Sequence, residues 1–420
     1  MTITRSLAQN DQYAEAAPAV GGGMAVAPVL ALKHLTLTHF RNYAALRLPC
    51  DTRPVVLTGP NGAGKTNLLE AISFLVPGRG LRRARLAEVA CHQNGTGDVA
   101  VSGIVAETAW GVAAHVATAN GPVEIGTGCD GETDAAGRAR RIVHIDGQTV
   151  SNQAVLAEHV NVQWLTPQMD RLFLEGSSAR RRFLDRLVFG LDPAHAGRAA
   201  AYEHALRERA RLLRAHGPRA DANWLAALEE AMAAKGVAVA AARREAVARL
   251  APACGQSDDH FPAAEITLHG EVESWLDDGP ALAAEDRFRA ALEQARPRDA
   301  ETGGAATGPH RSDLLVRHVG NGRMADQCST GEQKALLIRL ILAHVRTSAR
   351  EWGRLPILLL DEVAAHLDEK RRAALIEEIL ALRIQAWLTG TDEAMFAPFR
   401  GAAQFCRVEA GAVSMVPAGV

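Results

Sequence analysis

Leu35 and Leu37 alternate with polar neighbours after Leu32, the period of a half-buried strand, and an apolar run at Pro54–Thr58 predicts a second strand. A helix follows from Lys65 to about Val76. Between Val99 and Ile145, β-rich runs at 99–106, 110–118 and 140–145 are separated by Gly and Asn turns, which predicts an antiparallel subsheet. From Ser177 to about Leu250 the spacing becomes helical, broken at Asp192-Pro193 and His216-Gly217-Pro218. Residues 297–308, rich in Pro, Gly and Thr, read as a loop, and α/β alternation then resumes. The first 30 residues lack any period and read as a disordered tail. The expected division is therefore a tail (1–30), an α/β lobe in two parts (31–165 and 301–420) and a helical lid inserted between them (166–300).

The 420 residues are 48% hydrophobic and 22% charged, which excludes disorder throughout. Neither a bilayer-spanning apolar run nor the order of a signal peptide is present, so the expected location is the cytoplasm, with no membrane partner. Six scattered cysteines make no zinc or disulfide pattern. Net charge is -2, so any surface for a polyanion must be local. Only five of the 46 basic residues are lysines, a bias that reads as GC-rich coding, and one of the five is Lys65.

Lys65 completes Gly59-Pro60-Asn61-Gly62-Ala63-Gly64-Lys65-Thr66, a match to G-x-x-x-x-G-K-S/T placed between a strand and a helix. Glycines let successive N–H groups face the phosphates of a nucleotide, Lys65 supplies a point charge, and Thr66 offers a hydroxyl to Mg²⁺. Asn67 follows in the same turn. The apolar run Leu355–Leu360 has the character of a buried parallel strand and ends in Asp361-Glu362. Beside a phosphate loop, Asp361 is placed to hold Mg²⁺ through water and Glu362 to deprotonate the attacking water. The segment Cys328-Ser329-Thr330-Gly331-Glu332 opens a strongly apolar helix about two dozen residues before that strand, where ABC-type ATPases carry a signature that reaches the γ-phosphate held by another subunit.

Taken with His39–Tyr43, residues 176–185, Thr307–Asp313 and residues 358–368, these motifs occur in the order found in the RecF family of bacterial DNA replication and repair proteins. The chain resembles that family from about residue 32 onward. The resemblance implies a P-loop ABC-type ATPase head of the SMC kind, α/β in class, with a mixed sheet, an antiparallel β subdomain and an inserted helical lid. It further implies ATP and Mg²⁺ as cofactors, an ATP-dependent homodimer, slow hydrolysis as a switch, duplex, gapped or junction DNA as partner, and action with RecO and RecR to load RecA at single-stranded gaps. By the same resemblance Arg41 and Asn42 approach the phosphates, Gln168 couples nucleotide to the lid, Ser329 and Gly331 dock in trans, and Asp368 crosses the dimer interface. One departure stands out: the position of the switch histidine holds Thr389-Gly390-Thr391-Asp392.

For DNA, Arg171–Arg219 carries eleven arginines, Arg180, Arg181 and Arg182 among them, against five acids, and a second cluster holds Arg79, Arg82, Arg83 and Arg85. Arginine suits phosphate contacts, and sparse aromatics favour a duplex or junction backbone over stacked single strands. Arg180–Arg182 also admit a structural reading, tying lid to lobe. A small-molecule kinase would not need residues 328–334. A transporter subunit is disfavoured by the 263 positions between Thr66 and Ser329, and a structural SMC protein by the absence of long heptad repeats there.

Overall fold

The structure, a computed structural model, describes residues 30–91, 109–132, 139–217, 220–257, 260–352 and 355–416. The expected tail up to residue 29 and the run at 99–106 lie outside them, while Leu30 is described and buried. The chain opens with an antiparallel pair, β1 (Ala31–Phe40) and β2 (Tyr43–Pro49), and continues into β3 (Val55–Thr58), the phosphate loop and α1 (Lys65–Ser73). It then returns to the first sheet as β4 (Trp110–Thr118), β5 (Gly121–Cys129), β6 (Ile142–Ile145) and β7 (Gln148–Val150), in the order β2-β1-β4-β5-β6-β7. Short α2 (Leu156–His159) and β8 (Val162–Leu165) lead to the helices.

The helical region holds α3 (Ser177–Leu191), α4 (Ala194–His216), α5 (Ala222–Cys254), β9 (Ala264–His269), α6 (Glu271–Asp278) and α7 (Ala281–Thr302). The breaks at Asp192-Pro193 and His216-Gly217 fall where the turn residues placed them. The loop expected from 297 begins only at Gly303, so the expected boundary at 300/301 falls inside α7. Pro297 does cost that helix a backbone hydrogen bond. The last turn is held nonetheless, because buried Asp299 accepts from Arg209 Nη1 at 2.7 Å and from the Ala306 amide at 3.0 Å. Likewise β9, inside the helical region, pairs antiparallel with β10 (Asp313–His318).

After β10 come α8 (Thr330–Trp352), β11 (Ile357–Leu360), α9 (Glu369–Ala381), β12 (Ala386–Gly390), β13 (Gln404–Glu409) and β14 (Ala412–Val416). The second sheet runs β14-β13-β3-β12-β11-β8, parallel except for β14. Alternation along its strands sends Leu358, Leu360 and Leu388 into the core with α3, α8 and α9. Ile357, Leu359 and Trp387 point the other way, toward α1 and the antiparallel sheet. Fully buried Gln385 ties the two sheets: its Oε1 accepts from the Leu32 amide at 2.8 Å and its Nε2 donates to the Asp51 carbonyl at 2.6 Å.

Candidate nucleotide site

The site forms at the carboxyl ends of β3, β12 and β11, which lie side by side although the first and the last two are about 300 residues apart in the chain. Gly59 and Gly64 are glycines for steric reasons. At Gly59 (φ +148°) a Cβ would lie 2.1 Å from the Val408 carbonyl oxygen of β13, and at Gly64 (φ +116°) it would lie 2.4 Å from Asn42 Nδ2. Pro60, Asn61 and Gly62 are exposed at the tip of the loop, Ala63 and Gly64 are buried, and the first-turn amides of α1 lack intrahelical acceptors. Lys65 folds over the loop, its Nζ donating to the Gly59 and Pro60 carbonyls at 2.7 and 2.9 Å. Burial lowers its pKa, opposed by the Glu362 and Asp361 carboxylates.

Thr66 Oγ1 donates to Asp361 Oδ1 at 2.9 Å, and Thr389 Oγ1 donates to the same oxygen at 2.9 Å. Asp361 is 6% exposed. Burial raises its pKa while the two threonine hydroxyls oppose that shift. Glu362 follows in a left-handed conformation (φ 52°), its N–H donating to Thr389 Oγ1 at 2.8 Å. A hydroxyl and a carboxylate converging in this way are hard oxygen donors of the type Mg²⁺ takes, so the residues present fit that ion.

Arg41 and Asn42 brace the loop from β1–β2. Arg41, itself at φ 56°, makes a two-pronged contact with Glu70, Nε to Oε2 at 2.9 Å and Nη2 to Oε1 at 2.7 Å. Asn42 Nδ2 donates to the Ala63 carbonyl at 3.0 Å and Asn67 Nδ2 to Asn42 Oδ1 at 2.7 Å, while Tyr43 donates to the Gly64 carbonyl at 3.0 Å. Arg82 closes the set from the other side, with Nη1 on Asn67 Oδ1 at 2.5 Å and Glu70 Oε2 at 3.0 Å. Its guanidinium thus contacts Asn67 and Glu70 of α1 while the side chain stays 35% exposed. Glu70 escapes the motif reading, which marked Tyr43 and Thr389 without their partners. The one signal for Glu70 was a lone acid within the apolar stripe of α1.

Gln168 lies exposed just past β8, whose Leu165 carbonyl accepts from the Asp361 amide at 2.9 Å, so it stands next to the acidic strand. Ser329, Thr330 and Gly331 are exposed at the start of α8, and a Cβ at Gly331 would meet nothing within 4 Å. Ser329 and Glu332 cap the helix reciprocally: the Ser329 amide and hydroxyl donate to Glu332 Oε2 at 2.8 and 2.9 Å. Those hydrogen bonds lower the Glu332 pKa. Asp368, also exposed, caps α9 by accepting from the Arg371 amide.

Of the arginines expected at DNA, Arg180 grips Asp313 with Nε and Nη2 at 2.7 and 2.8 Å, and Arg181 donates to the Ser312 carbonyl at 2.6 Å. Both tie α3 to the start of β10, the structural alternative the sequence left open. Arg79, Arg83 and Arg182 instead are exposed and line one cleft of about 630 Å³ between the loop after α1 and α3–α4. Burial, then the neighbouring Arg83 charge, lowers the pKa of Arg182.

Residues 31–412 match the family model described as RecF/RecN/SMC N terminal domain. The chain is 48% identical over 385 residues to the DNA replication and repair protein RecF of Rhizobium rhizogenes, covering 91% of this chain and 98% of that protein. The chain belongs to the RecF family. Its RecF counterpart in Caulobacter sp. is 50% identical, over 90% of this chain and 96% of that one. Among solved structures, the recombination mediator protein RecF with ATP superposes with a TM-score of 0.76 at 20% identity, over 93% of this chain and all of the other. An Smc head domain from Pyrococcus furiosus gives 0.51 at 14% identity, over 92% and 96%. RecF and SMC heads therefore share this fold, the ABC-type head expected from the sequence. Among the described residues no helix is long and apolar enough to cross a membrane.

Proposed function

We propose that this RecF-family chain is an ATP-dependent DNA-binding switch of replication and repair. It would bind ATP on Gly59–Asn67, dimerise through the exposed start of α8, hold DNA, and act in the cytoplasm with RecO and RecR to load RecA at gaps. The observation that carries this reading is a phosphate-binding loop joined to a buried carboxylate, with the signature-like segment exposed. The loop, Lys65 and Asp361-Glu362 converge, while Ser329 and Gly331 stand exposed on α8, available to a second copy. Support for the pathway comes from the relatives, named DNA replication and repair proteins, and from the RecF-ATP structure, described as part of a RecFOR pathway.

In this reading Lys65 exchanges its loop carbonyls for the β and γ phosphates, with the α1 amides facing the same charge. Thr66 and Asp361 would hold Mg²⁺, which when bound offsets phosphate charge. Glu362 takes a proton from water as the water oxygen adds to the γ-phosphorus and the bond to the bridging oxygen breaks. Gln168 and Asp368 would relay occupancy to the lid and to the partner. Phosphodiesters would lie along Arg79, Arg83 and Arg182, the three of the six candidate arginines that face the cleft.

Light scattering on the full chain with ATP and Mg²⁺, with and without duplex DNA, tests the reading. ATP-dependent dimers that retain DNA are expected, and a monomer that phosphorylates a small acceptor would sink it. Lys65→Ala should abolish nucleotide binding. Ser329→Ala should bind ATP and stay monomeric.

A further inference from the structure

We propose that Thr389 is the positioning residue of the hydrolytic centre, setting the backbone of Glu362 and passing the state of the phosphate loop to it. This rests on the ATPase reading above. β12 lies between β3, which leads into the phosphate loop, and β11, which ends at Asp361. Thr389 pairs in register with Leu57 on one side, and its side chain reaches the end of β11 on the other. It is 1% exposed, and both faculties of its hydroxyl are used: it donates to Asp361 Oδ1 and accepts the Glu362 N–H.

Asp361 Oδ1 also receives the Thr66 hydroxyl, so an unbroken line runs Thr66, Asp361, Thr389, Glu362. Its far end is a residue under strain. Glu362 sits at φ 52°, ψ 16°, a conformation that strains a non-glycine residue and persists only where neighbours enforce it. The Thr389 hydroxyl is the side-chain group that holds its amide. The next position, Gly390, has no room for a side chain. A Cβ at Gly390 would lie 2.5 Å from the ring of Phe396, which is itself fully buried. A change at Thr66 therefore reaches Glu362 through hydroxyls inside the fold.

Thr389→Val keeps the β-branched shape and removes both hydrogen bonds, and Thr389→Ser restores the hydroxyl. In the full chain, Thr389→Val should lower kcat about ten-fold or more, with ATP affinity within about three-fold of wild type. Thr389→Ser should recover most of that rate. Amide hydrogen exchange over 361–364 should be faster in the valine variant than in the serine one, with or without nucleotide. Unchanged kcat and exchange in Thr389→Val would overturn the proposal, as would a serine variant equally impaired. A wild-type chain that binds no ATP would defeat the ATPase reading instead, and the exchange measurement still judges the role of Thr389.

Discussion

At the scale of single residues, the site is a set of charges whose partners are fixed by burial. Glu70 shows this most plainly. Its carboxylate is wholly buried between Arg41 and Arg82, whose side chains are 19% and 35% exposed. Removing it as Glu70→Ala leaves two guanidiniums beside the phosphate loop without their shared counter-charge, and a loss of stability on the order of 3 kcal/mol in urea unfolding is expected. Glu70→Gln should lose less, because the amide oxygen still accepts. The residues legible from sequence here were those whose chemistry is tied to a local spacing: Lys65 and Thr66 in the loop, Asp361-Glu362 at a strand end. Glu70 was not legible, and Tyr43 and Thr389 were legible only as motif positions, since their contacts lie 20 to 30 positions away or across the sheet. The arginine triplet in α3 was only half legible. A run of three like charges on a helix points in different directions, and Arg180 and Arg181 find Asp313 and Ser312 more than 130 positions later.

At the scale of elements, the segment Gly308–Ser312 acts as a clasp between lid and lobe. Arg181 of α3 donates to the Ser312 carbonyl, Tyr202 of α4 pairs with His310 at 2.6 Å, Arg243 of α5 donates to the Pro309 carbonyl at 2.6 Å, and Ser312 Oγ donates to Glu273 of α6 at 2.6 Å. Four helices thus grip five residues, so these helices are expected to respond to nucleotide as one unit. The loop after α1 is the complementary element, with Arg82 turned in to the phosphate loop and Arg79 and Arg83 turned out to the cleft. If the cleft receives DNA phosphates, Arg83→Gln and Arg182→Gln should each weaken duplex binding uniformly across sequences. Each should also flatten the dependence of log K on log salt by about one unit. Unchanged salt slopes in both would place DNA elsewhere. Most element types were legible from hydrophobic period and turn residues. The end of α7 was missed because a buried Arg209–Asp299 pair outweighs the local signal of Pro297.

At the scale of the whole molecule, acid should act through a histidine at the joint of α3 and α8. His344 is fully buried and contacts the Leu187 carbonyl through Nε2 at 3.0 Å, and burial lowers its pKa to about 4. The unfolded chain takes up this proton near pH 6.5, whereas the native state resists it until about pH 4. Native stability contributed by the neutral ring is therefore complete above pH 6.5 and declines as pH falls toward 4, by up to about 1.4 kcal/mol per pH unit. Urea midpoints at pH 7.5 and 5 should show that fall, and His344→Gln should reduce it. The division into two sheets with an intervening helical region was legible in the order of patterns along the chain. Strand order was not, because it is set by pairings across hundreds of residues. That order has a consequence for synthesis. Thr66 meets Asp361 across 295 positions, and β12 must enter between β3 and β11 to complete the site. A nascent chain lacking its last hundred residues carries the whole phosphate loop with neither Asp361 nor Glu362 beside it. Closing so long a loop is slow. Nucleotide capture is thus expected only after β12 leaves the ribosome, which makes ATP protection in pulse proteolysis a reporter of completed folding.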